Sequence, residues 1–305
     1  MPDGAGVSVE TKLHVPVMAQ EIIKYLELSP GKIIVDATTG TGGHSELIAE
    51  RIQPGGRLIC MDRDEASLAV ARSRLSIYRD AISFVHSNFL DIDSALTKLG
   101  VEKIDGVVFD LGLSTFQLED ASRGLSFQKE GPLDMRFDKS GYISAYDLVN
   151  NLNEDELSQV LWTFGEERWH NRIARQVVVS RQHQPITTTH QLRDIVVRAI
   201  PARFRHYRIH PATRTFQAIR IAVNRELEAV EAGLNKTVGL LKEGGRICVI
   251  SFHSLEDRIA KLRFKEFAKQ GQIKIITPKP LIPSQEEVMV NPASRSAKLR
   301  VAQRL

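Results

Sequence analysis

The sequence predicts an α/β fold: a Rossmann-like, doubly wound parallel sheet with a helical segment inserted into it. Three observations lead there. Four short apolar runs, KIIVD (32–36), RLICM (57–61), ISFV (82–85) and IDGVVF (104–109), alternate with helix-periodic segments at the spacing of βαβ units. A fifth run of the same kind, RICVIS (246–251), comes much further along than one crossover helix requires. The intervening stretch carries its own helix-start signals and a separate charge balance.

Residues 1–12 are Gly-rich and polar and read as a frayed end. Val17, Ile22, Ile23 and Leu26 then recur at helical spacing over 17–28. The first strand, 32–36, leads into a turn-rich loop at 38–43 and a helix over 45–52. The second strand, 57–61, ends at Asp62 and precedes a helix at 66–75. The third and fourth strands follow, the fourth ending at Asp110. Residues 116–211 read as an inserted helical domain, dividing the chain into 1–115 plus 212–305 around it. Two helices in the insertion open on capping-box patterns, Asn153 with Glu156 and Thr188 with Gln191. One long helix is expected over 212–241, opened by His210-Pro211, with Phe216, Ile219, Val223, Leu227, Val230 and Leu234 as its apolar stripe. After the turn at 243–245 come the fifth strand, a helix over 255–269, and a closing hairpin of 273–276 with 299–303.

Composition narrows the function classes. The 305 residues are 42% apolar and 26% charged, which excludes a disordered or collagen-like chain. No run approaches the roughly 18 apolar residues of a membrane span, and no early apolar region suggests a signal peptide. Cys60 and Cys248 both sit in apolar runs and are too few for a disulfide framework or a cysteine-built zinc site. The chain therefore reads as cytoplasmic. Its net charge of +4 is uneven: residues 161–215 hold ten Arg, no Lys and three acids, or +7, leaving −3 elsewhere. Five of the nine His lie in the same stretch, and Arg295, Lys298, Arg300 and Arg304 repeat the bias at the C-terminus. Such an excess marks a phosphate-rich partner, and Arg in place of Lys favours bidentate phosphate contacts and stacking on bases. The plainer alternative is a solvated face with ion pairs.

In an open parallel sheet, ligands bind beyond the carboxyl ends of the strands near the switch point. The first strand runs into DATTGTGGHS (36–45), where glycines admit a ligand to the backbone and the next helix offers free N–H groups. Asp62 ends the second strand at a spacing that suits a ribose hydroxyl clamp. The glycines do not follow the G-x-G-x-x-G spacing of a dinucleotide site, and no Lys-Ser/Thr pair follows to make a phosphate-cradling loop. Asp36 adds negative charge beside the loop, which suits a cation. S-adenosyl-L-methionine, a sulfonium without phosphate, fits best, and the fold becomes a class I methyltransferase sheet.

The residues now resemble a known family, the ribosomal RNA small-subunit methyltransferase H family (MraW type). The likeness covers nearly all of 13–305. It rests on HVPV (14–17), DATTGTGGHS (36–45), MDRD (61–64), FDLGLS (109–114), RGLSF (123–127), GPLDMR (131–136), GEER (165–168), HPATRTFQ (210–217), ISFHSLEDR (250–258) and Asn291-Pro292. Ala37 and Thr39 depart from it, standing where many members carry Gly and a large apolar residue. The resemblance implies transfer of a methyl group from S-adenosyl-L-methionine to the exocyclic N4 amine of a cytosine in 16S ribosomal RNA. It places cofactor binding on Gly42, Gly43, His44, Asp62, Phe89, Asp110 and Gln117. It also implies that 116–211 faces RNA, whether as free small-subunit ribosomal RNA or within the assembled subunit. No membrane partner is expected, and oligomeric state, a homodimer included, is left open.

Methyl transfer is an in-line displacement in which positioning is most of the catalysis. The cytosine amine is a poor nucleophile, and an acceptor on its N–H localises the lone pair. Asp110 is the leading candidate, with cofactor holding as its alternative role; Ser251 and His253, at the end of the fifth strand, are the other catalytic candidates. Phe116, Phe127, Trp169 and Phe252 are the candidate stacking partners, because no aromatic follows Asp110 directly. Arg203, Arg205 and Arg208 are the candidate RNA contacts. The His spacing supports no metal site. Two other readings stay open, a methyltransferase for a small molecule or protein and a non-catalytic RNA-binding assembly factor.

Overall fold

The computed structural model describes residues 16–205 and 209–305. The expectations for residues 1–12, for His14 and Val15 of the first motif, and for Arg208 lie outside those residues. Strands β1 (Ile33–Asp36), β2 (Arg57–Asp62), β3 (Ile82–His86), β4 (Ile104–Asp110), β5 (Leu241–Ser251), β6 (Ile273–Ile275) and β7 (Lys298–Arg304) form one sheet, ordered β3-β2-β1-β4-β5-β7-β6. The first five run parallel; β7 is antiparallel to β5 on one side and to β6 on the other. The expected closing hairpin is thus present and extends the parallel sheet.

In chain order the helices are α1 (Ala19–Leu26), α2 (Gly43–Ile52), α3 (Glu65–Arg74), α4 (Ile92–Lys98), α5 (Thr115–Glu119), α6 (Ala145–Asn151), α7 (Glu154–Gly165), α8 (His170–His183), α9 (Thr189–Ala199), α10 (Thr213–Asn224), α11 (Glu226–Leu240), α12 (Ser254–Lys269) and α13 (Gln285–Val290). Alternate strand residues point to opposite faces, and here both faces are covered. Val35, Ile59, Met61, Val107 and Phe109 pack against α4, α11 and α12; Ile34, Leu58, Cys60 and Val108 pack against α1, α2 and α3. That double burial is why the strands are continuous apolar runs. A separate core fills the insertion, where Leu157, Leu161, Ile173, Val177, Leu192 and Val196 meet Ala212, Phe216 and Ile219 at the start and in the body of α10. Both expected capping boxes form, at Asn153 and Thr188.

The single long helix expected over 212–241 is two helices. Arg225 breaks it with φ 49°, ψ 42° in the left-handed region, and its N–H caps α10 on the Ile221 and Ala222 carbonyls. The apolar stripe runs unbroken through this point, but it serves two cores: Phe216 and Ile219 pack in the insertion, whereas Val230, Leu234 and Val238 pack on the sheet. Asn224 secures the corner, donating to the Met135 carbonyl and accepting from the Phe137 N–H.

One buried ion pair joins the insertion to the sheet. Arg123 reaches Asp64, the N-cap of α3, at 2.9–3.0 Å, with the two side chains 7% and 3% exposed. Gln117 donates to the same carboxylate at 2.9 Å.

Candidate active site

The strand order reverses between β1 and β4, and a cavity opens at their carboxyl ends, the switch-point position. It encloses about 1070 Å³ of non-protein space, its open mouth included. Pairing sets the strand tips level around it: Asp36 lies opposite Cys60 on β2 and Val108 on β4, and Asp110 lies opposite Ile250 on β5.

The loop after β1 is pinned from both sides. Ala37 N–H donates to the Val108 carbonyl and Thr39 N–H to the Met61 carbonyl. Gly42 caps α2 at φ 86°, a conformation that glycine adopts without strain, and an added Cβ would meet Leu75 and Ala71 at 3.3 and 3.4 Å. Gly43 and His44 follow in the cavity wall. Asp62 lies across from them, its two oxygens accepting from Gly40 N–H at 2.7 Å and Asp64 N–H at 2.9 Å. Burial pushes the Asp62 carboxyl above its ordinary value, against those two hydrogen bonds.

Asp36 is buried behind the loop, accepting from Ser45 Oγ at 2.6 Å and Thr38 N–H at 3.2 Å. Burial pushes it up to about 6, with His44 and the Ser45 bond acting against the rise. His44 is buried too: Nε2 lies 2.8 Å from the Val17 carbonyl, and Nδ1 lies 3.6 Å from Asp110 Oδ2.

Phe89, Asp110 and Gln117 all line the cavity, so of the seven cofactor residues implied by resemblance only Gly42 stands back from its wall, shaping the turn. The end of β5 is placed differently from expectation. Ser251 is 2% exposed and donates toward the Lys298 carbonyl, and His253 is the N-cap of α12 in a capping box with Glu256; neither lines the cavity. The side chains presented there are Phe252, just past the last residue of β5, and Glu256, in the first turn of α12. Of the four stacking candidates only Phe252 lines the cavity. Its ring lies on Gly112, where a Cβ would come within 2.5 Å of it. Phe127 stacks on His210 and meets Phe216 edge to face, and Trp169 pairs with Phe204 inside the insertion.

Sequence reasoning missed Glu226, Glu256 and Phe137, which also line the cavity. Glu226 belongs to α11, and nothing local marks it. Its carboxylate takes a two-pronged pair from Arg220. Glu226, His253 and Glu256 bring ligand-capable atoms within 4.8 Å of one another, a grouping of His and Glu that spacing along the chain does not reveal. Glu226 is already engaged by Arg220, and Glu256 accepts from the Phe252 and His253 N–H groups.

The fit to a cationic cofactor rests on the lining. Among the described residues the wall carries four carboxylates, Asp62, Asp110, Glu226 and Glu256, and one guanidinium, Arg63, whose Cζ lies 3.8 Å from the centre of the Phe137 ring. An acidic cavity of this kind accommodates a sulfonium and repels a pyrophosphate.

The arginines of 161–215 divide by use. Arg172, Arg181, Arg193, Arg205 and Arg214 donate to backbone carbonyls, several at helix ends. Arg205 holds the Ile200 carbonyl at 2.8 Å, so this predicted RNA contact also closes the end of α9. Arg203 is exposed and stacks on Phe204, its guanidinium 4.8 Å from the ring centre.

The sequence pattern of the MraW methylase family matches residues 11–305. Ribosomal RNA small subunit methyltransferase H of Clostridioides difficile (strain 630) is 46% identical, covering 96% of this chain and 99% of that protein. Proteins of the same name from Pelobacter propionicus and Trichlorobacter lovleyi are each 48% identical, covering 96% of this chain and 98% of theirs. Matched from residue 11 to residue 305 and nearly half identical to proteins of its own length, the chain belongs to the MraW methylase family.

Proposed function

We infer that this chain transfers a methyl group from S-adenosyl-L-methionine to the exocyclic N4 amine of a cytosine in small-subunit ribosomal RNA. The observation that carries the reading is the switch-point cavity, where a glycine loop, Asp62 and Asp110 converge in an acidic wall. Full-length relatives named for small-subunit ribosomal RNA methylation support it.

S-adenosyl-L-methionine supplies an electrophilic methyl group on a sulfonium. Asp62 keeps its outer lone pairs for the ribose hydroxyls, while its inner ones hold the loop. Phe89 and Gln117 line the same cavity and would contact that ligand, and Gln117 is steadied by Asp64. Asp110 accepts from the amine N–H, which localises the nitrogen lone pair and stabilises the charge that builds on it. Phe252, packed against Gly112, is the stacking platform for the cytosine. The base reaches this depth only when unpaired or extruded. Residues 116–211, seated on α10, form the RNA-facing unit, with Arg203 among its phosphate contacts.

The test is incubation with labelled S-adenosyl-L-methionine and small-subunit ribosomal RNA, free and assembled with its proteins, followed by nucleoside analysis. N4-methylcytidine is the expected product. Label that appears only in protein or small molecules, or in nothing, overturns the reading.

A further inference from the structure

The amine loses a proton when it is methylated, and the cavity holds a group placed to keep it. His44 Nε2 lies 2.8 Å from the Val17 carbonyl oxygen. A carbonyl only accepts, so Nε2 carries the hydrogen, and in the neutral ring the lone pair is on Nδ1. That lone pair faces a carboxylate, with Nδ1 3.6 Å from Asp110 Oδ2 and the ring only 6% exposed. Two lone pairs turned toward each other in a buried site repel; a proton between them turns the contact into a charge-assisted bond. The distance is that of a resting pair, of the kind that tightens when the reacting complex forms.

Among the described residues, the titratable groups facing His44 are Asp110 from β4 and Asp36 from β1. Asp36 is held by Ser45 and Thr38. Cys60 of β2 touches Ser45 Oγ at 3.3 Å, and burial pushes its thiol up to about 12, which removes it from exchange at neutral pH.

We propose that Asp110 and His44 together are the proton acceptor of the transfer, Asp110 taking the proton from N4 and His44 Nδ1 holding it, with the Val17 carbonyl fixing the ring. This rests on the function inferred above. The N4 lone pair forms the new N–C bond as the C–S bond breaks, and the pair from that bond stays on sulfur as a thioether. The proton leaving nitrogen passes through Asp110 to Nδ1. What remains is a neutral methylated amine and an imidazolium beside a carboxylate. The positive charge lost from sulfur is restored on His44, so the cavity ends the step with the net charge it began with.

The test is single-turnover methylation of small-subunit ribosomal RNA by the full chain at saturating S-adenosyl-L-methionine, over about pH 5 to 9, for wild type and His44→Gln. Cofactor affinity is measured separately by calorimetry. An imidazole accepts only when neutral, so the wild-type rate should fall toward acid. In His44→Gln the saturated rate should drop on the order of 100-fold, and the acid limb should vanish. A saturated rate and acid limb both retained, with only affinity weakened, would make His44 a loop residue and overturn the proposal. An acid limb that persists at the lowered rate shows that Asp110 or Asp36, not His44, sets it and also overturns the proposal. If His44→Gln does not fold, nitrogen-15 spectra of wild type with S-adenosylhomocysteine decide the matter: Nε2–H with a titrating Nδ1 is expected, and an Nδ1 that never protonates sinks the idea. A wild type that methylates no RNA refutes the function itself, which is a separate result.

Discussion

Asp62 does two jobs with one carboxylate. Its inner lone pairs hold Gly40 and Asp64 N–H groups, and its outer ones face the cavity. Asp62→Ala should remove charge-assisted bonds worth about 1.5–3 kcal/mol, a roughly 10- to 150-fold loss of cofactor affinity by calorimetric titration. An unchanged dissociation constant in a folded variant rules out the clamp. Asp36 gives the opposite kind of prediction. Its folded pKa, about 6, lies above the ordinary 3.8, so the folded state takes up a proton that the unfolded state does not across that interval. Stability from this group is present below the ordinary value and is lost as pH rises through about 6. Asp36→Asn should therefore stabilise the protein at pH 7 by about 1–3 kcal/mol, with the gap closing below about pH 4. Denaturant titrations at both pH values check it; equal midpoints at pH 7 would show that Asp36 is not strained by burial.

At the scale of elements, the Asp64–Arg123 pair latches the start of the insertion to α3. Burial pushes the Asp64 carboxyl up, but hydrogen bonds from Gln117, Arg123 and Ser67 outweigh it, and the net pKa is lowered. Stability from Asp64 is thus present above the ordinary carboxylate value and lost as pH falls through the lower folded one. Arg123→Met leaves that carboxylate buried without its cation, at a cost of about 3–5 kcal/mol. The deficit should be read at pH 7 by urea unfolding and should shrink in acid as Asp64 protonates. Because Gln117 shares the carboxylate, cofactor affinity should weaken in the same variant. A variant as stable as wild type at pH 7 means the latch contributes nothing.

Over the whole molecule, the +7 of residues 161–215 is both scaffold and surface. Arginines that donate to carbonyls at helix ends satisfy orphan acceptors and complement the helix dipole, and they keep their charge while doing so. Arg203 and Arg205 should therefore separate. On the proposed RNA-facing role of this surface, Arg203→Gln should flatten the salt dependence of RNA binding by about 0.7 in log–log slope while stability stays unchanged. Arg205→Gln, which strips the Ile200 carbonyl of its donor, should lower stability by about 1–2 kcal/mol. Identical effects on stability would mean that the two side chains play the same part.

The central sheet was legible because both of its faces are buried: the runs at 32–36, 57–61 and 104–109 are dominated by apolar residues, and each of β1, β2 and β4 ends in an acid; the apolar run at 82–85 marked the half-buried edge strand β3. The capping boxes at Asn153 and Thr188 were legible because their chemistry is local, a side chain three residues from the backbone it caps. The same local logic placed Asp62 and Asp110 at the strand ends, where the switch point gathers them. Packing decided the rest. The break at Arg225 has no glycine to announce it and exists because one apolar stripe is divided between two cores. Phe252 and Glu256, rather than Ser251 and His253, face the cavity because the chain turns there from β5 into α12: Ser251 is the last paired strand residue, His253 is taken as the N-cap, and Glu256 lies in the first turn of the helix. Glu226 enters from a helix far along the chain, and Arg123 finds Asp64 across 59 residues. Periodicity and capping are set by neighbours in sequence, whereas a cavity wall is set by which distant elements pack, and that depends on the burial of the whole chain.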